Sequence, residues 1–273
     1  MPARVTTPAR RALSLAVGWL ADRRIPTPLR RAVFGAYCAA TGADASEAQL
    51  PPSGYASLNA FFLRRLKEGA RVFDPDPAVL PSPCDGRVQA VGTVAADRIV
   101  QAKGVDYSVR ELLAGAERGA DLDGALGLTL YLSPRDYHRV HAPLSGMLEQ
   151  VVWAPGTRYS VAPRPAARLR GLFALNERAV MRFATDRGPA FLVMVGALNV
   201  GRIRVVGVPP GGSPASRFFV ERGAELARFE MGSTVVLVLP RDQGFVPLPL
   251  EPGDPVRLGQ ALAGRRSGPA DGR

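Results

Sequence analysis

The chain has 273 residues, 47% of them hydrophobic, which is enough for one sizeable core and excludes wholesale disorder. Its formal charge is +11, nearly all of it from arginine, since Lys67 and Lys103 are the only lysines. That balance either points to nucleic acid, anionic lipid or an acidic substrate, or reflects only the base composition of the gene. Cys38 and Cys84 are the only cysteines and form no CxxC pair, so no disulfide framework is indicated and a reducing compartment is the default. No apolar run reaches the ~18 residues needed to span a bilayer. The N-terminus lacks the ordered regions of a signal peptide.

Residues 1–50 read as a helical, basic segment. Seven arginines and one acid, Asp22, fall within residues 1–31. Leu13, Val17 and Leu20 recur at helical spacing beside Trp19, flanked by Arg10, Arg11, Arg23 and Arg24. A second stripe follows Pro28, with Leu29, Val33, Ala36, Tyr37 and Ala40 on it and Arg30 and Arg31 off it. Arginines around an apolar face suit an interfacial helix, which buries that face among acyl chains and offers cations to lipid phosphates. On that reading Leu13, Val17, Trp19, Leu20, Val33, Phe34 and Tyr37 face the membrane. Two ordinary helices packed on a domain would show the same pattern.

Residues 51–263 read as a β-rich domain. Proline and glycine punctuate residues 51–81, and Leu58–Leu66 predicts one short helix. Beyond Pro81 short runs of Val, Leu and Ile alternate with turn residues. They predict strands at Arg87–Val91, Leu126–Leu132, Met147–Trp153, Ala179–Phe183, Ala190–Val195, Arg202–Val208 and Thr234–Leu239, with one helix at Val109–Leu113. Residues 209–216 form a loop, and 264–273 a flexible tail. The expected fold is α+β: a mainly antiparallel, sandwich-like or barrel-like core preceded by N-terminal amphipathic helices.

Three segments carry candidate chemistry. The only histidines, His138 and His141, share the run Ser133–Pro143, and histidine is the usual proton-transfer residue near neutral pH. A polar loop with incidental histidines is the plain alternative. H-x-x-H is also half a metal site, but no third histidine or cysteine pair exists to complete one. Asp85 precedes Gly86 at the start of a predicted strand. It is either a turn residue or a carboxylate able to orient an imidazole. Gly232-Ser233-Thr234 before a hydrophobic run reads as a turn into a strand. Yet a hydroxyl preceded by glycine has a chemical use, because Gly232 leaves its own carbonyl open to close approach.

These segments stand among seven landmarks in order: FFLRRLKEGARVFDPDP (61–77), SPCDGRV (82–88), QAKGVDYSVRELL (101–113), YLSPRDYHRVHAPLSG (131–146), LFALNERAV (172–180), VGALNVGRI (195–203) and FEMGSTVV (229–236). Together they resemble the phosphatidylserine decarboxylase family over most of the chain. Met231 replaces the leucine common there, a swap that conserves volume and leaves Gly232 and Ser233 in place. Cys84 stands where the family carries a small or aliphatic residue.

The resemblance implies a proenzyme that cuts itself between Gly232 and Ser233. Ser233 is then the nucleophile, His141 its base, and Asp85 the residue orienting His141. Ser233 becomes a pyruvoyl group, the only cofactor, which forms a Schiff base with phosphatidylserine and lets carbon dioxide leave. His138 protonates the product, phosphatidylethanolamine. The implied partners are the substrate, an anionic membrane surface at the cytoplasmic face, and the second fragment of a heterodimer, with no nucleic acid. A Ser-His-Asp hydrolase uses the same residue types without cleaving itself. A lipoyl-type carrier needs a lysine at a hairpin tip, and none follows Lys103. A nucleic-acid binder has no supporting motif.

Overall fold

The computed structural model describes residues 18–102, 105–197, 203–230 and 233–265. Residues 18–22 are helical, and the helix Thr27–Thr41 follows Pro26. Pro28 occupies its first turn, where a missing N–H costs nothing, and Gly42 ends it in a left-handed conformation.

The buried row of this helix differs from the predicted stripe. Phe34 is fully buried, its ring against Tyr55 and Phe61 at centroid distances of 6.5 and 5.1 Å. Leu29, Ala36 and Ala40 point outward. The helix carries two apolar rows, and the row with the aromatic rings removes more apolar area from water, so it takes the interior. Phe34 is thus corrected from a lipid-facing residue to a core residue. Arg30 is also structural, donating to the Ile25 and Ser53 carbonyls at 3.0 and 3.2 Å.

The next helix spans Leu58–Phe62, capped by Ser57 Oγ accepting from the Ala60 N–H at 3.1 Å. It stops short of the predicted Leu66 for a tertiary reason. The Leu63 carbonyl accepts from both Nε and Nη2 of Arg139, at 3.0 and 2.8 Å, and Leu66 bridges back to Ala48.

In chain order the strands are β1 (Val79–Pro81), β2 (Gly86–Thr93), β3 (Arg98–Ala102), β4 (Val105–Ser108), β5 (Leu126–Leu132) and β6 (Arg139–His141). They continue as β7 (Gly146–Ala154), β8 (Arg178–Thr185), β9 (Gly188–Gly196), β10 (Ile203–Val205) and β11 (Phe218–Val220). The remainder are β12 (Glu225–Phe229), β13 (Ser233–Leu239), β14 (Phe245–Pro247), β15 (Pro255–Val256) and β16 (Ala261–Arg265). The main sheet runs β11-β7-β8-β9-β13-β5-β2-β15, beside smaller sheets β10-β12-β6, β1-β16-β14 and β3-β4. Every strand pair among the described residues is antiparallel.

All of β13 is buried, because the main sheet is covered on both faces. Val235, Leu237 and Leu239 pack with Val140, Ala227 and Phe229 of the β10-β12-β6 sheet. Val236 and Val238 pack with Leu112, Leu113 and Phe173 from the short helices Val109–Leu113 and Leu172–Leu175. Coverage on both sides makes this strand a continuous apolar run rather than an alternating one.

The antiparallel β core stands as expected, and the predicted strands in it lie within β2, β5, β7, β8, β9 and β13. Of the run Arg202–Val208, Ile203–Val205 form β10 and pair with β12, outside the main sheet, while Arg202 lies outside the described residues. Gly264 and Arg265, expected in the tail, belong to β16 and pair with Val79 and Phe245.

Candidate functional site

Ser233 opens β13, flanked by Leu132 of β5 and Gly196 of β9. The alternation of the strand puts its side chain on the same face as Val235, toward the β10-β12-β6 sheet. Ser233 is fully buried, and its Oγ has no hydrogen-bond partner among the described residues. Gly232 and Met231 lie outside the described residues.

The histidine segment is held by its own turn. Asp136 accepts from the N–H and the hydroxyl of Ser133, both at 2.7 Å, and its carbonyl oxygen lies 2.8 Å from His138 Nδ1. A carbonyl only accepts, so Nδ1 carries the proton and Nε2 keeps a free lone pair. That Nε2 is buried without a partner, while the ring stacks on Phe62 at a centroid distance of 3.9 Å. Burial pushes the His138 pKa down to about 3, and the charge of Arg64 adds to the shift. At neutral pH His138 is therefore an uncharged base. Its carbonyl accepts from the Phe229 N–H at 3.1 Å, on the strand that leads to Ser233.

His141 is tied differently. Its Nδ1 donates to the Gly223 carbonyl at 2.7 Å, so Nε2 accepts from the Tyr137 hydroxyl at 3.2 Å. Burial lowers the His141 pKa, with the Gly223 carbonyl acting in the opposite direction. Burial also pushes Tyr137 up to about 12, which keeps it a neutral donor.

The expected hydrogen bond from Asp85 to His141 is not formed. Both ring nitrogens of His141 are engaged elsewhere, and the Asp85 carboxylate lies in the fork of Arg71, with Nε to Oδ1 at 2.9 Å and Nη2 to Oδ2. Asp85 Oδ1 also accepts from the Leu258 N–H at 2.8 Å. A guanidinium presents two parallel donors to a carboxylate where an imidazole presents one, so Arg71 wins the contact. Arg71 also reaches Glu47 at 2.8 Å, and these carboxylates raise its pKa. Asp85 is still near enough for its charge to favour protonated His141.

Thus His138 precedes β6 in the layer that Ser233 faces, and Asp85 and His141 are neighbours without a direct bond. Sequence reasoning gave no role to Arg71, Tyr137, Phe62 or Arg64. All four lie inside quoted landmarks, but no spacing rule connects them to Asp85 or to the histidines. Arg64 is only 4% exposed, and its Nε and Nη1 find no partner among the described residues. Burial raises the Cys84 thiol pKa well above its ordinary value, which suits a residue without chemistry.

Of the membrane-facing candidates, Trp19 and Leu20 are 58% and 62% exposed. Val33 and Tyr37 are half-buried, and Leu13 and Val17 lie outside the described residues. No helix among the described residues is long and apolar enough to cross a membrane.

A family model described as phosphatidylserine decarboxylase matches residues 58–264. A phosphatidylserine decarboxylase proenzyme of Xanthomonas oryzae pv. oryzae is 45% identical over 239 residues, covering 83% of this chain and 85% of that one. The protein of the same name from Halorhodospira halophila is 46% identical, over 81% of this chain and 79% of its own. A third, from Marinobacter nauticus, is 41% identical over 84% and 85% of the respective chains.

Proposed function

The chain belongs to the phosphatidylserine decarboxylase family, and from that premise we propose how its own residues carry the reaction. It is a decarboxylase made as a proenzyme, with phosphatidylserine as substrate. Maturation begins when Ser233 Oγ attacks the Gly232 carbonyl carbon, turning the peptide bond into an ester and freeing the serine nitrogen. β-Elimination breaks the ester bond to the serine carbon. It releases the first fragment as a carboxylate at Gly232 and leaves dehydroalanine at the start of the second. Water then displaces that nitrogen as ammonia, and a pyruvoyl group remains.

The residues suit that group, because Ser233 is buried and its Oγ has no partner competing for it. Once formed, the group supplies an electrophilic carbonyl that absorbs the electron pair left by departing carbon dioxide. His141 takes the Ser233 proton at Nε2, after the Tyr137 hydroxyl turns aside. Asp85, fixed by Arg71, supports the resulting imidazolium by its charge rather than by a direct bond. His138 Nε2, whose lone pair is free, takes the proton that the substrate ammonium sheds and passes it to the carbon that loses the carboxyl group, and its burial excludes water from that transfer. The two fragments stay together as a heterodimer.

One observation carries this reading. Ser233 Oγ and His138 Nε2 are both fully buried and both lack partners, in segments joined by the Phe229–His138 hydrogen bond. Buried polar groups are ordinarily satisfied, and two orphans in connected segments support the reading of both as reacting atoms. The Ser-His-Asp hydrolase gains nothing, since Asp85 binds Arg71 and His141 Nδ1 binds Gly223.

We also place the enzyme peripherally at the cytoplasmic face of the membrane, with residues 1–50 as the association segment and 51–263 as the catalytic domain. Exposed Trp19, Leu20 and Leu29 support this, as do the exposed Arg23, Arg24 and Arg31. Each cation near an anionic surface contributes about 1 kcal/mol.

Intact mass spectrometry tests the maturation. The purified wild type should give two fragments, the smaller beginning with pyruvate at position 233. Ser233→Ala should remain one chain, and a Ser233→Ala protein that still splits would overturn the reading. His141→Ala should also fail to split, whereas His138→Ala should split yet turn over poorly.

A further inference from the structure

The turn between β8 and β9, the start of β7 and the end of β16 enclose a cavity of about 310 Å³. In the main sheet β9 pairs Gly188 with Thr185 and Gly196 with Ser233, so this cavity and Ser233 lie at opposite ends of the strands. Arg222 and Arg265 line it, with Asp186 at its rim and Met147 and Phe219 on its apolar side.

The charges there are unbalanced. Arg222 uses Nη1 and Nη2 on the Asp76 and Val79 carbonyls, at 3.0 and 2.9 Å, and its Nε is buried without a partner. Arg265 lies over the Phe245 ring, 4.8 Å from its centroid, and its Nε is likewise buried and unpartnered. Burial lowers the Arg265 pKa, and the charges of Arg187 and Arg222 add to the shift, with Asp186 and Asp76 acting against it. Like charges brought together and partly desolvated are costly unless an anion offsets them. Asp186 and Asp76 are exposed, and neither makes an ion pair with any of these arginines among the described residues.

We propose that this cavity is a second binding site, separate from the Ser233 centre, for a phosphate-class anion. The donors are Nη1 and Nη2 of Arg265, which make no hydrogen bond among the described residues and suit phosphate oxygens, with the fixed charge of Arg222 beside them. The volume exceeds what a bare phosphate fills, and Met147 and Phe219 offer an apolar wall for an organic substituent. Both a free phosphate and a phospholipid headgroup present this chemistry.

Thermal unfolding of the full chain in increasing inorganic phosphate provides one arm of the test. Co-sedimentation with phosphatidylcholine vesicles, with and without phosphatidylglycerol, provides the other. Saturable stabilisation by phosphate identifies a soluble ligand. Absence of that stabilisation, with binding to anionic vesicles that depends on Arg265, identifies a headgroup. In either arm Arg265→Gln should weaken binding about tenfold through loss of a charge-assisted contact. Asp186→Asn should strengthen it by removing the opposing carboxylate, while Arg168→Gln, elsewhere on the surface, should change nothing. The assignment fails if neither probe responds, or if Arg265→Gln and Asp186→Asn both bind as the wild type does.

Discussion

A buried imidazole that stays neutral in the folded chain must take up a proton when the chain unfolds in acid. For His138 the folded pKa is about 3, below the ordinary 6.5, so the unfolded chain binds the proton first as pH falls. Its contribution to stability is complete above about pH 6.5 and is lost progressively toward pH 3, at up to about 1.4 kcal/mol per pH unit. Denaturant unfolding of the uncleaved Ser233→Ala chain at a series of pH values measures this. His138→Gln in that background should flatten the acid limb. An unchanged limb would mean that His138 is not the neutral buried base described above. The same burial keeps its Nε2 free of water, which ties the stability effect to the proton-transfer role.

Among the secondary-structure elements, the helix Thr27–Thr41 has two apolar rows with separate fates, and substitutions tell them apart. Phe34→Ala empties a site packed by Tyr55 and Phe61 and should cost about 3–5 kcal/mol of stability, read by chemical denaturation. Leu29 is 54% exposed, so Leu29→Ser should leave stability within about 0.5 kcal/mol. It should nevertheless reduce co-sedimentation with anionic liposomes. If Leu29→Ser binds liposomes like the wild type, the outward row does not meet the membrane. Higher salt should weaken that binding without abolishing it, because the apolar part is unscreened.

For the whole molecule, cleavage before Ser233 would divide the core rather than detach a tail. The second fragment supplies β13, paired through Val238 with β9 and through Leu239 with β5. It also supplies β16, the middle strand of the β1-β16-β14 sheet. Removing the fragment would expose both faces of β13, so the two pieces should co-elute in native size-exclusion chromatography and separate only in denaturant. Co-elution lost at neutral pH without denaturant would contradict the pairing described here.

Local chemistry was legible in the chain by itself. The run STVVLVL, the paired histidines in Ser133–Pro143 and the order of seven landmarks led to the β core, the family and the candidate residues, because strand propensity and motif chemistry are carried by neighbours in sequence. Short strands such as β1, β6 and β15 were not legible, since a few residues hold no periodicity and form only by pairing with distant partners. The orientation of Phe34 was decided in three dimensions, where two apolar rows competed for one aromatic cluster. So was the partner of Asp85: a motif shows that a carboxylate is present, but only packing brings the Arg71 fork to it ahead of His141. Arg222 and Arg265, each with an unpartnered Nε, became neighbours for the same reason, because charge balance across strands depends on the fold and not on spacing along the chain.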